Sequence, residues 1–304
     1  MKRSFKKITI IGLGLIGGSI GLALKRAGST AQLIGAARTQ KTLDVALERN
    51  LVERVEIDIV KSVEGADLII LATPLSSFKK IILEVSHNLK PGCIVTDTGS
   101  SKLKVIEELS NVIPMGVSFI PGHPIAGTEL SGPEAGFAEL FDDRWCVLTP
   151  TEDTNKDALN SIRLFWEELG SKVEIMNPEH HDRVLAITSH IPHLIAYNIV
   201  GTANNLTNVT NKEVVKYSAG GFRDFTRIAA SDPKMWRDVF LYNDEAVLEM
   251  LSFFSKDLMK LKKAIEEKDS DLLQTFFENT REVRKNIIDA GQEVSDIDFG
   301  RLKK

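Results

Sequence analysis

The feature that most constrains this chain lies near its start. The β-branched run Lys7–Ile11 leads straight into Gly12-Leu13-Gly14-Leu15-Ile16-Gly17 and then into a helical pattern. Glycines at that spacing permit a tight turn, close approach of the backbone to a pyrophosphate, and close helix–strand packing. The helix opening there offers free N–H groups and the positive end of its dipole to phosphate. Strand before and helix after turn a short glycine pattern into a dinucleotide-binding expectation; the alternative is a glycine-rich turn with no ligand. The same segment imitates a secretory leader, with Lys2, Arg3, Lys6 and Lys7 ahead of the apolar run Ile8–Leu24. Glycines at 12, 14, 17, 18 and 21 weaken that run as a continuous helix, and no Ala-x-Ala site closes it, so no leader is expected.

Further short apolar runs follow at Ala31–Ala36, Asp67–Ala72, Ile94–Asp97, Val117–Ile120 and Trp145–Leu148. Amphipathic stretches such as Thr42–Asn50, Ser77–Leu89 and Lys102–Leu109 separate most of them. Strand-length runs alternating with helical patterns predict βαβ units and a largely parallel sheet. After about residue 175 long helical periodicity takes over, in Val184–Asn204, Pro233–Lys263 and Asp269–Ala290, with Ser231-Asp232-Pro233 as a start signal and Gly291 as a C-cap. The 304 residues therefore divide into an α/β, Rossmann-type dinucleotide-binding domain over 1–175 and an all-helical domain over 176–304. No later segment approaches 18 uninterrupted apolar residues, so no membrane-spanning helix is expected. A net charge of −4 argues against a nucleic-acid binder relying on basic charge. Two cysteines, Cys93 and Cys146, are too few for a disulfide framework, which makes a reducing cytoplasm the simplest location.

The position that reads the adenosine ribose lies about 20 residues past the glycine motif, where NAD enzymes usually carry Asp or Glu. Here Gly35-Ala36-Ala37-Arg38-Thr39-Gln40 has no acid. Ala37 removes repulsion toward a 2′-phosphate that Arg38 and Thr39 could bind, which favours NADP; if Arg38 only stacks on adenine, NAD stays usable. Three polar clusters carry candidate chemistry. Thr96-Asp97-Thr98-Gly99-Ser100-Ser101-Lys102 ends a strand, the edge at which open parallel sheets bind ligands. Pro121-Gly122-His123-Pro124-Ile125-Ala126-Gly127-Thr128-Glu129 follows another, with a histidine expected to be presented rather than buried, or else bonded to a turn backbone. His180-His181-Asp182 and Ser189-His190-Ile191-Pro192-His193 lie on a helix that Pro192 should kink. His190 and His193 share a face there, which suits substrate-facing imidazoles better than a metal, since no zinc ligand set is present and no metal is expected. Finally, Arg223 and Arg227 beside Gly220-Gly221 form a candidate carboxylate clamp, or else surface ion pairs with Asp224 or Asp232.

Five segments then occur in order: Gly12-Leu-Gly-Leu-Ile-Gly-Gly-Ser19, Thr96-Asp-Thr-Gly-Ser100, Gly122-His-Pro-Ile-Ala-Gly127, Ser189-His-Ile-Pro-His193 and Gly221-Phe-Arg-Asp-Phe-Thr-Arg227. Together they closely resemble the prephenate dehydrogenase (TyrA) family, which includes arogenate and cyclohexadienyl dehydrogenases, across residues 7–290. The resemblance implies oxidative decarboxylation of prephenate to 4-hydroxyphenylpyruvate with hydride transfer to NAD or NADP, in tyrosine biosynthesis. It assigns His123 as the base on the ring hydroxyl and Ser100 as the residue holding hydroxyl, histidine and nicotinamide in register. Arg227 then binds a substrate carboxylate, and His193 contacts the substrate side chain and favours prephenate over arogenate. Thr128, Glu129, Ser189, Arg223 and Trp236 are further substrate-site candidates, with Asp182 as a helix anchor. Gly12, Gly14, Leu15, Ile16, Gly17, Arg38, Thr39, Thr73 and Pro74 are the cofactor-site candidates. Ser101 stands where many relatives have valine and receives no role. The resemblance also implies a homodimer through the helical domain, with Leu248–Leu261 as a possible seam or as packing within one subunit. Neither a fused chorismate mutase domain nor an ACT domain is expected. The competing readings are another Rossmann reductase and a non-catalytic NADP sensor.

Overall fold

A strand whose consecutive residues are all apolar must be covered on both faces, and Leu68-Ile69-Ile70-Leu71 sits at 0% exposure throughout. The computed structural model describes residues 5–205, 213, 216 and 220–289. Its first sheet is built from β1 (Lys7–Ile11), β2 (Gln32–Ala36), β3 (Arg54–Glu56), β4 (Leu68–Leu71), β5 (Ile94–Asp97) and β6 (Ser118–Ile120). Helices α1 (Leu15–Arg26), α2 (Gln40–Glu48), α3 (Ile59–Val63), α4 (Phe78–Val85) and α5 (Leu103–Ser110) alternate with them. The strand order is β3-β2-β1-β4-β5-β6, every pair parallel. Strand periodicity splits the core between the two faces. Ile8, Ile10, Leu68 and Ile70 pack with Ile20 and Leu24 of α1 on one side. Ile11, Ile69, Leu71 and Val95 pack with Phe78, Ile82 and Val85 of α4 on the other. Truncating one such buried isoleucine to alanine typically costs about 2–5 kcal/mol.

Pro121 ends the first sheet's last strand and cannot donate to a ladder. The chain turns there into a second sheet of β7 (Gly122–Pro124), β8 (Trp145–Leu148) and β9 (Lys172–Ile175), with α6 (Lys156–Glu168) between the last two. β7 runs antiparallel to β8, placing His123 opposite Val147, and β8 runs parallel to β9. β3, β7 and β9 have no counterpart in the apolar runs. Arg54–Glu56 is too short and exposed to show a pattern, and Gly122-His123-Pro124 carries two residue types that strands disfavour.

The remainder is helical. Asn177 caps α7 (Pro178–Leu185) by accepting from Glu179 N at 2.9 Å and His180 N at 3.2 Å. A π turn over Ala186–His190 joins α7 to α8 (Ile191–Asn205). The kink expected at Pro192 is thus a widened turn just before it, which spares the ladder the clash of a proline ring. α9 (Gly220–Thr226) and a 3₁₀ turn (Arg227–Ala230) precede α10 (Pro233–Tyr242), whose start is capped by Asp232 accepting from Lys234 N and Met235 N. The single helix expected over 233–263 breaks at Asn243, whose side chain bonds elsewhere; α11 (Asp244–Glu267) and α12 (Ser270–Ile287) follow. Ala290 and Gly291 lie outside the described residues.

By internal contacts the chain forms two compact units, Met1–Val247 and Leu248–Lys304. One helix among the described residues, Pro178–Asn205, contains an 18-residue window of mean hydropathy 1.3, long and apolar enough to pass for a membrane span. It also carries His181, Asp182 and His190, all buried inside the first unit.

Candidate active site

In an open parallel sheet the crevice opens at the carboxyl ends of the strands where the order reverses, here between β1 and β4. Gly12 has φ of +99°, and a Cβ there would lie 2.4 Å from the Ala72 carbonyl oxygen. At Gly17 a Cβ would lie 1.9 Å from the Gly12 oxygen, so both positions are dictated by the chain's own packing. Gly14 is different: a Cβ there would meet nothing within 4 Å. It opens on free space at the start of α1, where it makes no side-chain cap and leaves the first-turn N–H groups, beginning with Leu15 and Ile16, for an anion. Thr73 borders the same turn, its methyl 2.7 Å from where a Gly12 Cβ would be. Its hydroxyl bonds Ser77 Oγ at 2.7 Å, and Ser77 in turn donates to Pro74 O at 2.6 Å. Past β2, Arg38 is exposed and makes no ion pair among the described residues. Thr39 is already engaged, capping α2 through Thr42 N at 3.2 Å. These residues fit a dinucleotide: a backbone cradle for the pyrophosphate and an unpaired guanidinium where the ribose edge would lie.

The second part of the crevice is made of buried side chains. Asp97 at the end of β5 pairs with Lys102, both at 0% side-chain exposure. Lys102 Nζ also donates to Gly122 O at 2.7 Å, while Asp97 accepts from Gly99 N at 2.8 Å and Gly122 N at 3.2 Å. The ion pair thereby clamps both backbone groups of Gly122, the residue before His123. His123 is not presented on a loop as its glycine-rich setting suggests. It is 7% exposed, because Gly122–Pro124 is a paired strand. Its Nδ1 lies 2.9 Å from His181 Nε2, and His181 Nδ1 lies 2.7 Å from Asp182 Oδ1. Asp182 accepts from Lys102 N and Leu103 N, each at 2.9 Å, and from Ser101 Oγ at 3.4 Å. Burial, with His181, Lys102 and His190 nearby, pushes the His123 imidazole well below 6.5. Burial also lowers His181, against the upward pull of Asp182.

The third part faces the crevice from the helices. His193 bonds the Ser189 carbonyl through Nδ1 at 2.8 Å and stacks on Trp236 with ring centroids 3.6 Å apart. Burial lowers its pKa, and the nearby positive charge of Arg227 adds to that. Arg227 Nη1 bonds Glu129 Oε2 at 3.0 Å. His190 does not share the substrate-facing side of His193 that its spacing predicts. It is fully buried, 3.0 Å from Asn243 Nδ2 through Nδ1, and burial lowers its pKa to about 4. Thr128 accepts from Leu130 N at 3.2 Å within its own loop. Arg223 is exposed and pairs with Asp224 at 3.2 Å, the surface pairing that the sequence left open. Ser100 is half-buried beside the Asp97–Lys102 pair in sequence, and its hydroxyl has no protein partner among the described residues. No three His, Cys, Asp or Glu side chains among the described residues converge as a metal-binding set. The sequence singled out His123, His193, Arg227, Glu129 and Trp236. It gave no role to His181, Ser101, Lys102 or Asn243, whose most distant partners lie 58, 141, 80 and 61 residues away.

Residues 20–175 match the family described as prephenate dehydrogenase, nucleotide-binding domain, and residues 177–279 match prephenate dehydrogenase, dimerization domain. A cyclohexadienyl dehydrogenase from Zymomonas mobilis is 41% identical over 92% of this chain and 95% of its own length. A prephenate dehydrogenase from Bacillus subtilis is 32% identical over 92% of this chain and 76% of its own. The crystal structure of prephenate dehydrogenase from A. aeolicus, in complex with hydroxyphenyl propionate and NAD+, superposes with a TM-score of 0.87 at 34% identity, covering 94% of this chain and 100% of that one. The chain belongs to the prephenate dehydrogenase family.

Proposed function

We propose that this chain oxidises and decarboxylates prephenate to 4-hydroxyphenylpyruvate, the step that supplies a tyrosine precursor. The observation that carries the proposal is His123: buried, held neutral, its Nδ1 engaged by His181 and its Nε2 without a protein partner among the described residues. A neutral imidazole there accepts the proton of the ring hydroxyl. A nicotinamide dinucleotide held by Gly12, Gly14, Leu15, Ile16, Gly17, Thr73 and Pro74 supplies the hydride acceptor. Ser100 orients the hydroxyl being oxidised. As the ring carbon becomes a carbonyl, the bond to the ring carboxylate breaks, CO2 leaves, and its electron pair enters the ring. The resulting phenolate recovers the proton that His123 took up, so aromatisation makes the sequence effectively one-way.

Arg227 holds a substrate carboxylate. Its pair with Glu129 is partly exposed, at 41% and 30% of the two side chains, and such pairs are worth about 0–1 kcal/mol. Glu129 therefore yields to a substrate carboxylate at little cost and acts as a gate. Trp236 and His193 wall the side-chain pocket, with Ser189 setting the His193 ring. Arg38, with no carboxylate partner among the described residues, and the absence of an acid at Ala37 favour NADP over NAD. The second unit leaves Leu248, Phe253, Leu258 and Met259 between 53% and 60% exposed, apolar area that a second copy of the chain would cover in a homodimer. Cys93 and Cys146, both buried and neither in a disulfide, suit a reducing cytoplasm.

One observation favours a second substrate. With Nδ1–H donated to Ser189, a neutral His193 presents Nε2 as an acceptor, which suits the ammonium of arogenate. The chain is then a cyclohexadienyl dehydrogenase using both. Initial rates of reduced-cofactor formation with prephenate or arogenate, and with NAD or NADP, test both readings. Turnover with prephenate supports the first, turnover with both substrates supports the second, and no turnover from folded protein removes both.

A further inference from the structure

We infer that His181 and Asp182 are positioning residues that fix which nitrogen of His123 is basic. The inference rests on His123 being the base. A neutral imidazole carries one proton on one of two nitrogens, and only the bare one can accept another. The chain of contacts leaves a single consistent arrangement. Lys102 N–H and Leu103 N–H can only donate, and each points at an oxygen of Asp182 at 2.9 Å. Ser101 Oγ, whose other contact is with Tyr242 O at 2.8 Å, stands 3.4 Å from the same carboxylate. Asp182 thus serves as an acceptor on both oxygens. His181 Nδ1, 2.7 Å away, must be the donor. That leaves His181 Nε2 as a lone pair, which at 2.9 Å accepts from His123 Nδ1–H. The basic nitrogen of His123 is then Nε2, the one with no protein partner among the described residues.

The opposite arrangement, with His181 Nε2–H donating to His123 Nδ1, would place the His123 proton on Nε2 and leave it no lone pair for substrate. Asp182 excludes it, because that arrangement sets a bare His181 Nδ1 against a carboxylate oxygen. Further bonds hold the dyad itself. Asn243 Nδ2 donates to the Asp182 carbonyl at 2.9 Å, and Asn177 caps the helix that carries both residues. Asp182 in turn caps the first turn of α5, so the segment carrying Lys102 and the helix carrying His181 are set by the same carboxylate.

The test uses the full-length protein with Asp182→Asn, His181→Phe, His181→Gln and His123→Asn. In Asp182→Asn the carboxamide nitrogen, turned toward His181 Nδ1, donates and reverses both imidazoles. The corresponding Asp→Asn change in the serine-protease triad lowers kcat by about 10⁴ through the wrong tautomer. Here kcat is expected to fall at least about 10²-fold, with substrate KM and cofactor Kd within about threefold. Nitrogen-15 spectra of labelled histidine should show His123 changing from a protonated Nδ1 to a protonated Nε2, a readout that a merely structural role would not move. If loss of the α5 cap prevents Asp182→Asn from folding, the His181 pair decides. Phe at 181 removes the acceptor and should lower kcat to the same degree. Gln restores an acceptor toward His123 and a donor toward Asp182, and should stay within about tenfold of the parent enzyme. An inactive His123→Asn beside a fully active His181→Phe overturns this inference alone. A fully active His123→Asn removes the base, and the inference with it.

Discussion

The two ends of the crevice are built on opposite plans. The dinucleotide end is backbone: Gly12 and Gly17 are forced by contacts with Ala72 and with each other, and Gly14 opens on space. The proton-handling end is side chain, drawn from residues 97–103, 123, 181–182 and 243 and closed by buried hydrogen bonds. The first plan suits a ligand recognised through its phosphates, which many enzymes share. The second suits one reaction, because it specifies a nitrogen, a tautomer and a charge state. Changes at the backbone end should move cofactor binding, and changes at the side-chain end should move the rate.

The largest effect expected from that division is at His123. His123→Asn should lower kcat by about 10² or more, the usual scale for loss of a general base, while cofactor affinity measured by fluorescence titration stays unchanged. Equal losses in both would erase the distinction between the ends; a near-normal kcat would take His123 out of the chemistry. The parent enzyme sharpens the point through pH. Burial holds His123 well below 6.5, so the base is already neutral through the physiological range. Its contribution to kcat/KM should be flat there and should fall only as pH drops through the lowered value. An acid limb centred above 6.5 would contradict a buried neutral base.

The next effect is at the substrate carboxylate. Arg227→Ala should raise KM about 10- to 100-fold, the equivalent of a charge-assisted pair of about 1.5–3 kcal/mol, with a smaller change in kcat. An unchanged KM would make Arg227 only the partner of Glu129.

The same division explains what the sequence disclosed. The parallel sheet was legible because buried strands such as Leu68–Leu71 are continuous apolar runs, and the glycine turn because its constraints are local. His123 was legible as a candidate, yet its burial was not, since Gly122-His123-Pro124 reads as a turn and becomes a strand only by pairing with Trp145–Leu148. Ser101 had no visible purpose. Its hydroxyl bonds Tyr242 O, 141 residues away, and no periodicity reports a contact of that range. His190 was misjudged for a related reason: helical spacing gives it the face of His193, but the π turn at 186–190 rotates it into the interior against Asn243. Polar groups whose partners are far apart in sequence are the part of a site that single-chain patterns reveal least.

The smallest expected effect belongs to the backbone end, where one side chain adds preference to a site the glycines already make. Arg38 is exposed, has no ion pair among the described residues, and follows Ala37 at the position where an acid would select NAD. Arg38→Ala should raise KM for NADP about tenfold, the loss of one charge-assisted contact near the surface, and leave KM for NAD within about twofold. Ala37→Asp should push the preference further, because a carboxylate accepts from the ribose 2′-hydroxyl and repels a 2′-phosphate. In neither variant should kcat with saturating cofactor change by more than about twofold, since neither residue touches the reacting atoms. If Arg38→Ala leaves the NADP to NAD ratio unchanged, the guanidinium only stacks on adenine, and the preference must lie elsewhere along the strand edge. If instead kcat falls with either variant, the two ends of the crevice are coupled, and the division between a backbone-built cofactor site and a side-chain-built proton site fails.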